Sequence, residues 1–169
     1  MSATNDLSLS LATEQDLPQI LTFIKALAEY ERLADAVVAT EEGLRESLFG
    51  ARPYAECIIA RFEGKPAGFA LFFHNFSTFL GRPGIYLEDL FVNPELRGKG
   101  IGRALLQRLA QLALERHCGR LEWSVLDWNE SAIGFYKSIG AVSLDEWTIF
   151  RLRGDGLKQL AGGDYPTKR

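Results

Sequence analysis

The sequence predicts an α/β fold, a mixed sheet flanked by helices, and three observations carry that expectation. Strand-like and helix-like runs follow one another in the order strand, two helices, three strands, helix, strand, helix, strand. Two of the strands, Ala55 to Phe62 and Ala67 to Phe76, are separated by Glu63-Gly64-Lys65-Pro66 and read as a hairpin. The third observation is Arg97-Gly98-Lys99-Gly100-Ile101-Gly102, a glycine-rich loop set between a strand-like run and a strongly amphipathic helix.

Taken in order, Leu7-Ser8-Leu9-Ser10-Leu11 alternates with period two and predicts the first strand. Thr13 is an N-cap, Asp16 stands at the third helical position, and Pro18 is tolerated in the first turns. That helix runs to about Glu31, with Ile20, Leu21, Phe23, Ile24, Leu27 and Ala28 as its apolar face. A shorter helix starts at its cap Thr40 and carries Leu44, Leu48 and Phe49. Beyond the hairpin, Leu80 to Gly84 is a loop and Ile85 to Val92 a strand rich in β-branched and aromatic residues. The helix after the glycine loop buries Leu105, Leu106, Leu109, Leu112 and Ala113, opposite Arg108, Gln111, Glu115 and Arg116. Leu121 to Trp128 is a strand. Asn129 caps a helix that ends before Gly140, a residue suited to the position just past a helix end. Leu144 to Leu152 is a last strand, and the tail from Asp155 adds a short helix before it frays.

At 169 residues the chain predicts one domain, 1–169, with its core over about 8–160. Hydrophobic residues at 47% and charged residues at 24% are those of an ordinary globular protein. A net charge of -3 without a basic stripe leads to the expectation of no nucleic-acid partner. Cys57 and Cys118 form no metal-ligand or redox spacing and read as reduced structural thiols. No apolar run approaches transmembrane length, and Asp6 interrupts a terminus without a signal-peptide core. The expectation is a cytoplasmic protein with no membrane partner. His74 and His117 have no partner at metal spacing, so no metal is expected. Trp123, Trp128 and Trp147 read as packing residues, since no basic residues interleave with them.

The glycine loop carries the first chemical signal. Its backbone N–H groups can point outward together, with the positive end of a helix dipole behind them, which seats a phosphate or pyrophosphate. A Walker loop is excluded because Gly100, not Ser or Thr, follows Lys99. A dinucleotide fingerprint is excluded because the glycines run G-x-G-x-G, and Asn93-Pro94-Glu95 separates them from the strand. Protein kinase signatures are absent downstream.

Glu88 and Asp89 lie mid-strand, where carboxylates are poorly suited and adjacent positions point to opposite faces. An edge strand with a solvated face would explain them. The functional alternative places Glu88 in a cleft as general base, acting directly or through a water. An alkylamine with a pKa of roughly 10.4 is protonated near neutrality and has no lone pair to attack a thioester. A positioned carboxylate attracts that cation and helps take its proton. Tyr136, two turns after Asn129 on the same helix face, offers a phenolic proton for a departing thiolate. Beside Ile133 it fits equally as a half-buried aromatic.

R-x-x-G-x-G opening a helix resembles the pyrophosphate loop of the GNAT superfamily of N-acetyltransferases. Tyr86 to Val92, Trp128-Asn129-Glu130, Phe135-Tyr136-Lys137, Gly140-Ala141 and the helix end Leu27 to Glu31 extend the resemblance over roughly residues 8 to 160. Within the superfamily the chain is most similar to the diamine (spermidine/spermine) and thialysine acetyltransferases. The resemblance implies the GNAT acyl-CoA N-acyltransferase fold and acetyl-CoA as cosubstrate. It implies that Leu90, Phe91 and Val92 hold the pantetheine arm through strand backbone groups. Arg97, Gly98, Lys99, Gly100, Ile101, Gly102 and Arg103 would then hold the pyrophosphate. Asn129 and Tyr136 would lie near the thioester, with Tyr136 as general acid and Glu88 as base. Tyr30, Glu31, Glu88 and Asp89 would line the amine site, in a family whose members are typically homodimers. Val142 to Trp147 is shorter than the acidic run of the polyamine enzymes, and the hairpin turn is short too. A diamine or a thialysine-like amino acid therefore stands level with spermidine.

The expected function is transfer of acetyl from acetyl-CoA to a primary amine of a small molecule by direct attack. Two alternatives stay open. One is acetylation of a protein lysine or amino terminus. The other is a coenzyme A-binding sensor without turnover, which would keep the glycine loop and have no need of Glu88 and Tyr136.

Overall fold

The alternating leucines form β1 (Leu7–Leu11), an edge strand of a five-stranded sheet in the computed structural model, which describes residues 6–163. Next to it lie β2 (Glu56–Phe62), β3 (Lys65–Ser77) and β4 (Arg82–Val92), each antiparallel to its neighbour. The sheet ends with β5 (Leu121–Trp123), parallel to β4, so it is mixed as the sequence predicts. It belongs to the first of two units into which the chain divides, Met1–Leu126 and Asp127–Arg169.

The β2–β3 turn is tighter than the sequence implies. Only Glu63 and Gly64 form it, with φ 51 and 76, the left-handed pair that a two-residue hairpin requires. Lys65 and Pro66 already belong to β3, where a register shift between Ala60 and Arg61 accommodates the proline. The first predicted helix opens as a 3-10 turn, Glu14–Asp16, before α1 (Leu17–Tyr30). The Thr13 N–H donates to the Asp16 carboxylate at 2.8 Å, and Arg61 pairs with the same carboxylate at 2.5 Å, fastening the helix start to β2. Thr40 caps α2 (Glu41–Phe49) by accepting from the Gly43 N–H at 3.1 Å.

On one face of the sheet, Ile20, Phe23 and Leu27 of α1 and Leu48 of α2 pack on Cys57, Ile59, Phe69, Leu71 and Phe91. The Phe23 ring stacks on Phe69 at 5.4 Å and tilts against Phe91 at 5.9 Å, so the centre of this core is aromatic. The alternate residues Ile58, Ala60, Ala70 and Phe72 are buried on the other face. There α3 (Ile101–Glu115) buries Leu105, Leu106, Leu109 and Leu112. Arg116, just past α3, lies over the Phe72 ring and grips Glu56 with two bonds of 2.5 and 2.8 Å. Both cysteines are unpaired and buried, the structural thiols expected.

The second unit contains α4 (Glu130–Ser138) and α5 (Gly154–Ala161). Asn129 caps α4 by accepting from the Ala132 N–H at 3.2 Å, and Gly140 ends it with φ 88. The strand expected over Leu144 to Leu152 does not form. A strand satisfies its backbone only through a neighbour, and among the described residues none pairs with this run. Val142, Leu144, Trp147, Ile149, Phe150 and Leu152 are exposed there, so Trp147 is not the packing residue its type implies. The fraying tail expected beyond residue 163 lies outside the described residues.

Candidate active site

Pairing between β3 and β4 runs Ala70 with Leu90 and Leu71 with Asp89, then passes to Phe72 with Leu87. Glu88 is therefore an extra residue, a β-bulge, and it resets the alternation of the strand. Leu87 shares the α3 face with Phe72, whereas Asp89 and Phe91 share the α1 face with Leu71. A regular strand would have put Asp89 on the side of Leu87. The expectation of opposite faces for the two acids rested on an unbroken period of two, which the bulge removes.

The environments of the acids follow from this shift. Glu88 is exposed and Asp89 half-buried. Burial, then the neighbouring charges of Glu88 and Glu31, push the Asp89 carboxyl up to about 6. Glu31, the residue after α1, is itself raised by burial. The structure thus brings Glu31 and Glu88 within electrostatic reach of Asp89, and of the adjacent pair Asp89 is the one drawn from water while Glu88 stays exposed. No sequence pattern marks a bulge at an acidic pair, so the sequence does not show which of the two is drawn from water.

A pH dependence follows for Asp89. The unfolded aspartate ionises near 3.9, whereas the folded one holds its proton to about 6. Between these values the folded state binds more protons, so stability falls as pH rises through this window and the loss is complete above it. Asp89→Asn is expected to stabilise the ligand-free protein by about 1–3 kcal/mol at pH 8 and to bring no gain below pH 4. Urea denaturation at the two pH values measures this. Equal gains at both would mean that ionisation of Asp89 carries no penalty in the fold.

Beside the acids the sheet opens. β5 pairs with β4 only at Ile85, Tyr86 and Leu87, not along the longer strand Leu121 to Trp128 that the sequence predicts. The parting begins where the bulge re-aims β4, and the Tyr86 hydroxyl reaches Ser124 at 2.7 Å across it. From Glu88 to Val92 the outer edge of β4 faces no strand among the described residues. Such an edge offers backbone N–H and C=O groups to an amide-bearing ligand. Leu90, Phe91 and Val92 stand on it, and Phe91 can contribute only backbone because its ring lies in the core.

The edge leads into the glycine loop. Asn93 pins the start of the loop to the beginning of β3, its N–H on the Ala67 carbonyl at 2.8 Å and its side chain on the Pro66 carbonyl at 3.2 Å. Gly98 and Gly100 both have φ 79, and no atom lies within 4 Å of where a Cβ would stand on either. Gly100 is the N-cap of α3, so no side chain caps this helix, and no acidic residue occupies its first turn. α2 and α4 differ on both counts, having Thr40 and Asn129 as caps and acidic residues in their first turns. The Ala104 N–H bonds the Gly100 carbonyl at 2.9 Å. The N–H groups of Ile101 and Gly102 precede it, in the first turn of the helix. This arrangement suits an anion.

The cations of the loop rest on aromatic rings. The Arg97 guanidinium lies 4.6 Å from the Tyr30 ring centre and the Lys99 ammonium 5.0 Å from that of Phe62. In the second unit, Tyr136 is half-buried on α4, its ring tilted against Phe135 at 5.6 Å. Asn129 uses its side-chain oxygen as the helix cap.

Residues 22–141 match the family model described as "Acetyltransferase (GNAT) family". The chain belongs to the GNAT acetyltransferase family. It is 41% identical over 162 residues to a thialysine N-epsilon-acetyltransferase of Bos taurus, covering 89% of this chain and 95% of that protein. It is 34% identical to the L-ornithine N5-acetyltransferase NATA1 of Arabidopsis thaliana, with 90% and 86% covered. Among solved structures it superposes on an integron cassette protein from the mobile metagenome of V. cholerae with a TM-score of 0.78. The two are 31% identical, with 92% and 98% of the chains covered. This GNAT chain is thus an N-acetyltransferase, an enzyme of a family whose cosubstrate is acetyl-CoA, and its mixed sheet is the family's fold. No helix among its described residues is long and apolar enough to cross a membrane.

Proposed function

We propose that this enzyme transfers the acetyl group of acetyl-CoA to a primary amine of a small molecule, a diamine, a polyamine or a thialysine-like amino acid. The observation that carries the acceptor is Asp89, a carboxyl withdrawn from water whose shifting neighbours, Glu88 and Glu31, are both acidic. Such a cluster favours a cation, and the ammonium of an amine supplies one. Tyr30 and Glu31 at the end of α1 complete the acceptor site. The names of the relatives from Bos taurus and Arabidopsis thaliana, which specify thialysine and ornithine, support an amino-acid acceptor.

The cosubstrate fits residues of the first unit. Backbone groups of Leu90, Phe91 and Val92 would hold an amide-bearing pantetheine arm. The space above Gly98 and Gly100 and the uncapped start of α3 would take the pyrophosphate. Arg97, Lys99 and Arg103 add positive charge there, and Asn129 and Tyr136 belong to the thioester end. Acetyl-CoA supplies a thioester carbonyl open to an amine lone pair. Asp89, with Glu88 beside it, draws in the ammonium and holds the proton it must give up, being poised near 6. Tyr136 provides a proton at the leaving sulfur. Attack is direct, because both cysteines are buried and burial drives the Cys57 thiol up, away from the thiolate that an acyl-enzyme would need.

The enzyme acts as one N-acetyltransferase domain, a reading supported by a family match that extends from the first unit into the second as far as residue 141. It works as a homodimer in the cytoplasm. Support for the dimer comes from the exposed apolar side chains of the segment Val142 to Leu152, where Ile149 is 76% and Phe150 93% exposed, since soluble proteins cover such patches with partners. Light scattering should return twice the 18.9 kDa chain mass, and a monomer mass would remove that assignment. Two reduced thiols support the cytoplasm.

The deciding experiment is release of free thiol from acetyl-CoA with spermidine, putrescine, thialysine, lysine and a basic peptide. Turnover with at least one small amine is the expected result. Turnover with the peptide alone would make the enzyme a protein acetyltransferase. Silence throughout, with coenzyme A bound, would leave a sensor.

A further inference from the structure

Arg97 touches both halves of the site. Its Nε donates to the Val92 carbonyl at 3.2 Å, which fixes the plane of the guanidinium at the end of β4. Its Cζ lies over the Tyr30 ring, 4.6 Å from the ring centre, and 5.9 Å from that of Phe91. Phe91 continues through Phe23 to Phe69, so Arg97 caps the rigid aromatic core on one side and the last residue of α1 on the other. A guanidinium held over a ring makes no hydrogen bond to it, so its remaining N–H groups stay available to a phosphate.

The end of α1 needs such a hold. The Arg32 N–H bonds the Glu29 carbonyl at 3.0 Å and the Leu33 N–H bonds Ala28 at 2.7 Å, a helix stop that places Arg32 in the left-handed region with φ 62. Glycine ordinarily fills that position, and a residue with a side chain is strained there. Tyr30 and Glu31, the acceptor-site residues, immediately precede this strained turn.

We infer that Tyr30 is a positioning residue that couples the two substrates: Arg97 rests over the Tyr30 ring and offers its N–H groups to the coenzyme A phosphates. Loading the glycine loop then steadies Arg97, and Arg97 steadies Tyr30 and Glu31 for the amine. By linkage, the Tyr30 ring must also strengthen coenzyme A binding, although Tyr30 lies outside the glycine loop. This rests on the loop binding the pyrophosphate.

Titration calorimetry with coenzyme A alone tests it, on wild type, Tyr30→Leu, Tyr30→Phe, Arg97→Gln and the double variant Tyr30→Leu/Arg97→Gln. Tyr30→Leu should weaken coenzyme A binding about three- to tenfold, the range of a partly exposed cation–ring pair. Tyr30→Phe keeps the ring and should stay within about twofold of wild type. In the Arg97→Gln background Tyr30→Leu should add nothing, which a packing role for Tyr30 would not produce. Additive losses, or wild-type binding in a folded Tyr30→Leu protein, would overturn the coupling. Should Tyr30→Leu not fold, Tyr30→Met, which retains apolar bulk, completes the same cycle. Wild type that does not bind coenzyme A at all would instead remove the reading of the loop.

Discussion

Gly100→Val is expected to weaken acetyl-CoA binding by at least about 100-fold while leaving a folded protein. Two effects add. At φ 79 a β-branched residue is strained by about 1–2 kcal/mol, which lowers the melting temperature by several degrees. The side chain also enters space that no protein atom shares within 4 Å, directly in front of the uncapped first turn of α3. An anion bridging the N–H groups of that turn cannot occupy the same volume. Gly64 provides the control, because it too has positive φ, 76, and open space, but in the hairpin turn. Gly64→Val should reproduce the strain and spare the binding. Calorimetry and thermal melts on both variants separate the effects. Acetyl-CoA bound equally well by a folded Gly100→Val protein would mean that the pyrophosphate lies elsewhere.

The same loop shows what the sequence could and could not convey. Glycines at 98 and 100 are local instructions, since backbone conformation depends on each residue's own side chain, and so the turn and the helix it opens were legible. So were α2 and α4, whose caps Thr40 and Asn129 bond within three residues of themselves. β1 and the hairpin were legible because apolar periodicity and the tight turn are local too. The departures that shape the site involve partners distant in sequence. β5 ends at Trp123 because β4 turns away from it, and β4 turns because Glu88 has no counterpart on β3. Leu144 to Leu152 has the composition of a strand, but composition does not supply a neighbour to pair with. In the acceptor site, residue type marked an acidic pair but not which member is withdrawn from water. That depends on which face of the sheet each occupies, and one extra residue reverses it. Nor does spacing reveal that Arg97 lies on Tyr30, sixty-seven residues earlier.

Tyr136→Phe should lower kcat by about 10²–10⁴, the usual range for loss of a general acid, with coenzyme A affinity unchanged. The substitution is a clean probe. Tyrosine and phenylalanine have nearly the same helix propensity, and the ring that meets Phe135 at 5.6 Å remains. A fall in rate would therefore not arise from loss of α4. Solution acidity sets the size of the effect. A phenol with a pKa of roughly 10 is no stronger an acid than an alkyl thiol, so its proton passes to the thiolate with little driving force. The benefit must come from positioning, and departure of the thiolate without assistance keeps the loss toward the lower end of the range. Turnover at saturating substrates, with binding of coenzyme A measured separately, distinguishes the two roles assigned to this residue. Weaker coenzyme A binding with normal kcat would make Tyr136 a cosubstrate contact alone. Near-normal values of both would return it to helix packing, and the leaving sulfur would then depart as thiolate and take its proton from water.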